Sequence, residues 1–370
     1  MTAERRIPVT QPFMPPLDEY VPLLSAIWDS KMLTNGGAFH EELERELRDR
    51  LGVDHLSLFT NGTIALVTAL QALEIKGEVI TTPYSFAATV HSLWWNGIKP
   101  IFVDIDSNTC NLDPARIEAA ITPRTSAILA VHCYGNPCDV DAIQRVADVH
   151  GLRVIYDAAH AFDVKYRGST ILNYGDLAVL SFHATKVFTT FEGGAVISHA
   201  PAMKKRVDQL KNFGFVDETT IVAPGINGKM SEVQAAFGLL QLRYIDRAVI
   251  ARGHLDARYR TELEAVPGVV PLPLNPLATP NFGYFPILVD DRYPLSRDEL
   301  YDALKRHGIL SRRYFYPLLS NLPMYEGIPS AAVSNLPIAN EVAGKVLCLP
   351  LYPDLTTEDQ DRIIDIVRGR

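Results

Sequence analysis

Leu152-Arg153-Val154-Ile155-Tyr156-Asp157-Ala158-Ala159-His160 is a short apolar run that ends on a carboxylate and a histidine. Its length and its β-branched and aromatic residues read as a buried strand, and in an open α/β sheet the carboxyl ends of such strands line the ligand crevice. Working outward, further runs of the same kind lie at 55–59, 78–81, 99–103, 126–131, 177–181 and 194–197, which with 152–156 make seven candidate strands. Amphipathic stretches at 63–73, 87–96, 114–120 and 140–150 supply helices between them. This alternation predicts an α/β fold with a mostly parallel seven-stranded sheet flanked by helices.

Residues 231–265 carry Val233, Ala236, Leu240, Tyr244 and Ile245 at helical spacing with no proline before Pro267, and they read as one long helix, although Gly238 and Gly253 lie inside it. After a Pro/Gly-rich stretch at 267–280 come a strand at 284–289, a helix opening at Ser296 with Glu299 three residues on, and a last helix starting at Thr356 or Thr357. The expected organisation is a large domain over 1–245, including an N-terminal segment, and a smaller C-terminal α+β domain over 246–370. A chain of 370 residues has room for a core in each.

The formal charge of −8 argues against the basic face that phosphate-backbone binding requires, so nucleic acid is not an expected partner. Cys110, Cys133, Cys138 and Cys348 fit neither paired zinc spacing nor a disulfide framework and read as reduced packing residues; no metal is expected. The first residues reach Pro8 without an apolar core, and no apolar run approaches the roughly 18 residues of a membrane span. No membrane partner and a cytoplasmic location are the expectations.

Four stretches carry chemistry. In Ser181-Phe182-His183-Ala184-Thr185-Lys186, followed by Glu192-Gly193-Gly194, a lysine stands just past a strand end where partial burial favours its neutral, nucleophilic amine. Asp157 and His160 stand at the end of the strand quoted above; taken singly, a helix cap and a packed histidine are the plainer readings. In Phe59-Thr60-Asn61-Gly62-Thr63-Ile64, a strand passes through a glycine turn into a helix, and free N–H groups at Gly62, Thr63 and Ile64 with the Thr63 hydroxyl would face a phosphate. In Thr82-Pro83-Tyr84-Ser85-Phe86-Ala87-Ala88-Thr89, an aromatic ring stands between strand and helix. The four occur together at strand ends, and one site explains them all. Pyridoxal 5'-phosphate (PLP) needs a phosphate cradle, a carboxylate for its ring nitrogen and a lysine amine for its aldehyde, and Asp157 suits the second need as Lys186 suits the third.

The chain resembles the DegT/DnrJ/EryC1/StrS sugar aminotransferases, PLP-dependent transferases of fold type I, over nearly its whole length. The likeness is carried by Leu33-Thr34-Asn35-Gly36-Gly37, Asn61-Gly62-Thr63, Asp157-Ala158-Ala159-His160, Ser181–Lys186, Glu192-Gly193-Gly194, Gly225-Ile226-Asn227-Gly228-Lys229-Met230-Ser231-Glu232 and Leu349-Pro350-Leu351. It implies that Lys186 bonds the cofactor covalently, that Asp157 pairs with the ring nitrogen, that His160 contacts the phenolic oxygen and that Phe86 stacks on the ring. It further implies a phosphate held by Gly62, Thr63 and Ser181, with Asn227 reaching over from the second subunit of a homodimer.

The implied reaction moves an amino group from L-glutamate to the keto carbon of a nucleotide-linked sugar. A narrower likeness at Val187-Phe188, Trp94-Trp95-Asn96-Gly97 and Asn212-Phe213-Gly214-Phe215 points to C4 of a 4-keto-6-deoxy sugar such as dTDP-4-keto-6-deoxyglucose. Substrate contacts are expected from His183, Lys229, Tyr314 and Tyr316. Transfer to C3 or to a cyclitol ketone is the neighbouring possibility, and a PLP-binding regulator without turnover is the alternative of another class. A dehydratase branch of the family has histidine where this chain has Lys186. The chain departs from the family pattern at Lys229, where arginine is common, and at Asp163, where glycine is common.

Overall fold

The computed structural model describes residues 6–369; the first five residues, which open the segment read above as carrying no leader, lie outside the described range. Strands β1 (His55–Phe59), β2 (Glu78–Thr81), β3 (Lys99–Phe102), β4 (Thr125–Val131), β5 (Arg153–Asp157), β6 (Leu177–Ser181) and β7 (Gly194–Ser198) form one sheet in the order β1-β7-β6-β5-β4-β2-β3. The five strands from β6 to β3 are mutually parallel, and β7 runs antiparallel to both its neighbours. The strands read as unbroken apolar runs because both faces of the sheet are covered. Within β5, Val154 and Tyr156 enter the core on one face and Ile155 the core on the other.

Two helix expectations are corrected. The stretch 114–120 forms two short 3₁₀ turns, Pro114–Arg116 and Glu118–Ala120, because the Asp113 carboxylate accepts from the Ala115 N–H at the first and Ile121 is already extended after the second. The stretch 231–265 is two helices, Glu232–Leu242 and Ile245–Leu263, parted at Arg243 and Tyr244. There the Tyr244 ring packs on Phe13 and its hydroxyl bonds the Glu19 carboxylate, so the turn is fixed by the N-terminal segment. Gly238 lies inside an intact helix; a methyl group there would come within 2.8 Å of Leu43, so glycine serves close packing rather than a break.

Strands β8 (Val269–Pro271), β9 (Phe285–Val289) and β10 (Val346–Leu349) make a separate antiparallel sheet, with β9 in the centre. Leu263, Phe285, Ile287, Leu300, Leu347 and Ile363 gather in its core, which draws on helices Ile245–Leu263, Arg297–Arg306 and Thr357–Val367. The Arg297–Arg306 helix opens on the expected capping box of Ser296 and Glu299. Ile7 also enters this core, through a short strand Ile7–Pro8 paired in parallel with Ile309–Leu310. All four cysteines are buried and unpaired. Among the described residues no helix is long and apolar enough to cross a membrane, and no cluster of side chains suits a metal ion.

The structure also accounts for the position at 163. Asp163 adopts a φ of 56°, in the left-handed region that favours glycine and that aspartate tolerates better than most residues, and its carboxylate lies 2.7 Å from Arg50 Nη2.

Candidate active site

The carboxyl ends of β1, β2, β5 and β6 open onto one cavity of about 210 Å³, lined among others by Gly62, Thr63, Phe86, Asp157, His160, Ser181, His183, Lys186 and Tyr314. Residues from four separate stretches meet there because parallel strands deliver their ends to the same edge of the sheet.

Asp157, the last residue of β5, is buried. Its Oδ2 accepts from the Thr89 hydroxyl at 2.7 Å and its Oδ1 from the Ala159 N–H at 3.1 Å. Burial pushes its carboxyl above the usual range, opposed by those two donors and by the charge of Lys186. A buried carboxylate with only neutral donors bonded to it is suited to pair with a cation brought to the same site.

Lys186 is half-buried, and the surface it keeps opens into the cavity. Nζ donates to the Tyr284 hydroxyl at 3.1 Å. Enclosure by protein brings its pKa down to about 8, against the opposing pull of Asp157 and Cys133. Roughly a tenth of the amine is therefore neutral at pH 7, far more than for an ordinary lysine, and this is the form that attacks a carbonyl and accepts a proton.

The helix Gly62–Ala72 starts at the cavity floor. Asn61 caps it, its Oδ1 accepting from the Ile64 N–H at 2.8 Å. That bond corrects the expectation for Ile64, whose N–H is committed to the cap and is not free for a phosphate. Among the described residues the N–H groups of Gly62 and Thr63 have no acceptor. A methyl at Gly62 would stand 2.9 Å from Ser181 Cβ, so glycine keeps open the gap between the helix start and the end of β6. Two unspent N–H donors and the hydroxyls of Thr63 and Ser181 at the positive end of a helix dipole suit a phosphate.

His160 accepts from the Tyr134 N–H through Nδ1 at 3.2 Å, which leaves the proton on Nε2 as a donor. Burial and the nearby Lys186 hold the ring well below its ordinary pKa, so it is neutral. Phe86 stands at the head of the helix Ala87–Trp95 with its ring 61% exposed and open to the cavity, whereas Tyr84 is fully buried and bonds Tyr134 and the Tyr314 carbonyl. His183 pairs with the Thr185 hydroxyl at 2.8 Å and stands 3.6 Å from the Glu192 carboxylate at the cavity rim.

Besides Ile64, three of the residues expected at the site lie outside the cavity in this chain. Asn227 lines a separate groove with Ile64, Trp95 and Ile226. Lys229 donates to Asn212 Oδ1 at 3.1 Å and lies over the Phe213 ring. Tyr316 is exposed and lies against Arg297. Conversely, Thr89, Tyr134 and Tyr284 were not singled out from the sequence. Thr89 stands at the end of the quoted 82–89 stretch, but no local pattern ties it to Asp157, and Tyr284 reads only as the first residue of a strand.

A neutralisable lysine, a buried acid and a helix start with two unspent N–H donors meet at the carboxyl edge of a mostly parallel sheet, an arrangement suited to PLP in a transferase of fold type I. The chain belongs to the DegT/DnrJ/EryC1/StrS aminotransferase family, whose model matches residues 18–368. It is 54% identical over 370 residues to the dTDP-4-amino-4,6-dideoxy-D-glucose transaminase of Escherichia coli, covering 99% of each chain, and 53% identical over 365 residues to the enzyme of the same name from Shigella dysenteriae, again covering 99% of each. The crystal structure of DesI in the presence of its TDP-sugar product superposes with a TM-score of 0.94 at 37% identity, covering 99% of this chain and 93% of that one. The protein is thus a sugar aminotransferase with PLP as cofactor.

Proposed function

We propose that this enzyme transfers the amino group of L-glutamate to C4 of a nucleotide-linked 4-keto-6-deoxy sugar, with dTDP-4-keto-6-deoxyglucose as the leading candidate, releasing 2-oxoglutarate. The observation that carries the reading is the full-length 54% identity to a transaminase named for that amino sugar. The cavity supports it, since Lys186 and Asp157 face one space with a phosphate cradle at its floor.

PLP, when bound, supplies the electron sink through which an amino group passes between donor and ketone. Gly62, Thr63 and Ser181 would hold its phosphate, Asp157 would keep a proton on its ring nitrogen, the Nε2–H of His160 would donate to its phenolic oxygen, and Phe86 would cover its ring. Lys186 would be the residue that holds it covalently, and when free its amine would take the proton from the glutamate α-carbon and, in the second half-reaction, give a proton to C4 of the sugar. The two halves share one site in turn, so the kinetics are ping-pong. His183 and Tyr314, on the cavity wall, contact the sugar.

Asn227 does not reach the cavity of its own chain. In our reading it completes the phosphate site of a partner, in a homodimer whose contact includes Trp95 (80% exposed), Ile226 and the neighbouring Trp94. Lys229 and Tyr316, which do not line the cavity of their own chain, are assigned to sugar contacts in the assembled dimer. The chain divides into a large cofactor-binding domain over 1–245 and a small domain over 246–370, with Ile7–Pro8 crossing to pair with the latter. The four unpaired, buried cysteines accord with a reducing, cytoplasmic location.

Product analysis tests the function. Incubation with L-glutamate and dTDP-, UDP- or GDP-linked 4-keto-6-deoxy sugars is expected to give a C4-amino dTDP sugar fastest, identified by NMR. Amination at C3, or turnover only with another nucleotide, would overturn the substrate assignment.

A further inference from the structure

We propose that Tyr284 is a positioning residue for Lys186: its hydroxyl holds the lysine amine in the cavity whenever that amine is not bonded to the cofactor. The inference rests on Lys186 having the role given to it under Proposed function. Lys186 Nζ lies 3.1 Å from Tyr284 Oη, and among the described residues it makes no other side-chain hydrogen bond and no ion pair within 4 Å. A displaced lysine regains many rotamers, and each turnover requires it to stand again within reach of a substrate carbon. One fixed acceptor restricts it to one region of the cavity.

The hydroxyl is itself held rigidly. Asn281, three residues earlier, donates through Nδ2 to the carbonyls of His160 and Phe162, both at 2.9 Å, and accepts from the Gly283 N–H at 3.1 Å. Thus the segment before Tyr284 is tied to the large sheet. Immediately after it, β9 anchors the chain in the second core. On the far side the buried Arg252, on the helix Ile245–Leu263, donates to the Leu351 carbonyl at 2.8 Å, bracing the chain just past β10 against that helix. The Tyr284 ring is packed against the rings of His160 (4.8 Å between centroids), Tyr134 (5.6 Å) and Tyr314 (6.0 Å), which leaves the phenol little room to swing.

The electrostatics fit an acceptor of N–H and not an anionic base. Burial and the surrounding Tyr314, Cys348 and Cys133 push the Tyr284 phenol well above its ordinary pKa, against the weaker pull of Arg252. It therefore stays a neutral phenol. The ionisable groups facing Lys186 are Asp157, which favours its charged form, Cys133, and the neutral His160. A phenol oxygen bonded to Nζ stabilises the ammonium more than the amine, so it moderates the effect of burial. Removing it lowers the lysine pKa further.

Tyr284→Phe keeps the ring and deletes the hydroxyl. The expected result is an enzyme that still binds PLP, seen as visible absorbance, with kcat down about ten-fold, the size of one lost hydrogen bond to a reacting group, and KM for both substrates within about two-fold. The acid limb of kcat moves to lower pH. In cofactor-free protein, selective acylation of Lys186 followed by mass spectrometry reads the same shift without activity: the variant lysine reacts at lower pH than the wild type. This second measurement decides the matter if the variant binds cofactor poorly. Unchanged kcat and acid limb, or an acylation profile identical to wild type, would overturn the proposal. Failure of the underlying assignment looks different, because wild-type protein would then show no spectral response to glutamate.

Discussion

The Thr89 hydroxyl donates its one proton to Asp157 Oδ2 across 2.7 Å, and the Ser85 hydroxyl, 2.7 Å from Thr89 Oγ1, must in turn donate to it. A short chain of hydroxyls thus runs from the turn after β2 to the acid at the end of β5. It fixes the orientation of the carboxylate and spends one of its oxygens on a neutral donor, which favours the charged form against the effect of burial.

Thr89→Val is nearly isosteric and removes that donor. The carboxyl of Asp157 is then pushed further up, and its hold on a protonated ring nitrogen weakens. Cofactor affinity is expected to fall about ten-fold, consistent with the ~1.5 kcal/mol or more of a hydrogen bond to a charged group. Titration of PLP into cofactor-free enzyme, followed by absorbance, measures it; an affinity equal to wild type would show that the hydroxyl chain does not serve the acid.

Gly62→Ala tests the phosphate cradle. The added methyl meets Ser181 Cβ at 2.9 Å, and both groups sit on backbone that the sheet and helix hold in place. Overpacking of this kind costs about 1–3 kcal/mol. Part of that cost appears as lower stability of the cofactor-free protein, measured by urea unfolding. The rest appears as weaker PLP binding, because relief comes from moving the helix start away from Ser181. Free inorganic phosphate should protect wild-type apoenzyme against PLP binding more strongly than it protects the variant.

Acid lability should trace to buried histidines outside the chemistry. Burial brings His132 down to about 3, and burial with Lys211 brings His40 to about 4, both from an ordinary 6.5. In the unfolded chain these rings take up protons as pH drops below 6.5, while in the folded chain they do not. Stability is therefore insensitive to them above about pH 7 and is lost as pH falls from 6.5 toward 4, at roughly 1.4 kcal/mol per pH unit for each ring. Urea unfolding at pH 7, 6 and 5 should show that dependence, and His132→Gln should make it shallower by the share of one ring.

These residues also mark how far the sequence could be read. The strands were legible because a sheet covered on both faces writes itself as unbroken apolar runs, and Asp157, Ser181 and Gly62 were legible because each directly ends a strand or begins the helix after it. The long pattern at 231–265 misled because helical spacing continues across Arg243 and Tyr244, while the contacts that turn the chain there come from Phe13 and Glu19. Thr89 and Tyr284 were invisible for a related reason. Their partners lie 68 and 98 residues away in sequence, and only the closure of the sheet and the docking of the second core bring them together.

Asn227 supplies the test of the assembly. In one chain it lies in the groove with Trp95 and Ile226 and does not line the cavity of Lys186, so any part it plays in holding a phosphate must be played for another copy. Lys186→Ala alone should abolish turnover, and Asn227→Asp, which sets a carboxylate against the phosphate, should depress it strongly. In a hybrid dimer of the two variants, one site carries both defects and the other carries neither. Random reassortment makes half the dimers hybrid, so unfolding and refolding an equal mixture is expected to restore roughly a quarter of wild-type activity. Lys186→Ala refolded alone should recover none, and Asn227→Asp refolded alone only its own depressed level. If the mixture gives only the sum of its parts, the site is complete within one chain and Asn227 has no place in it.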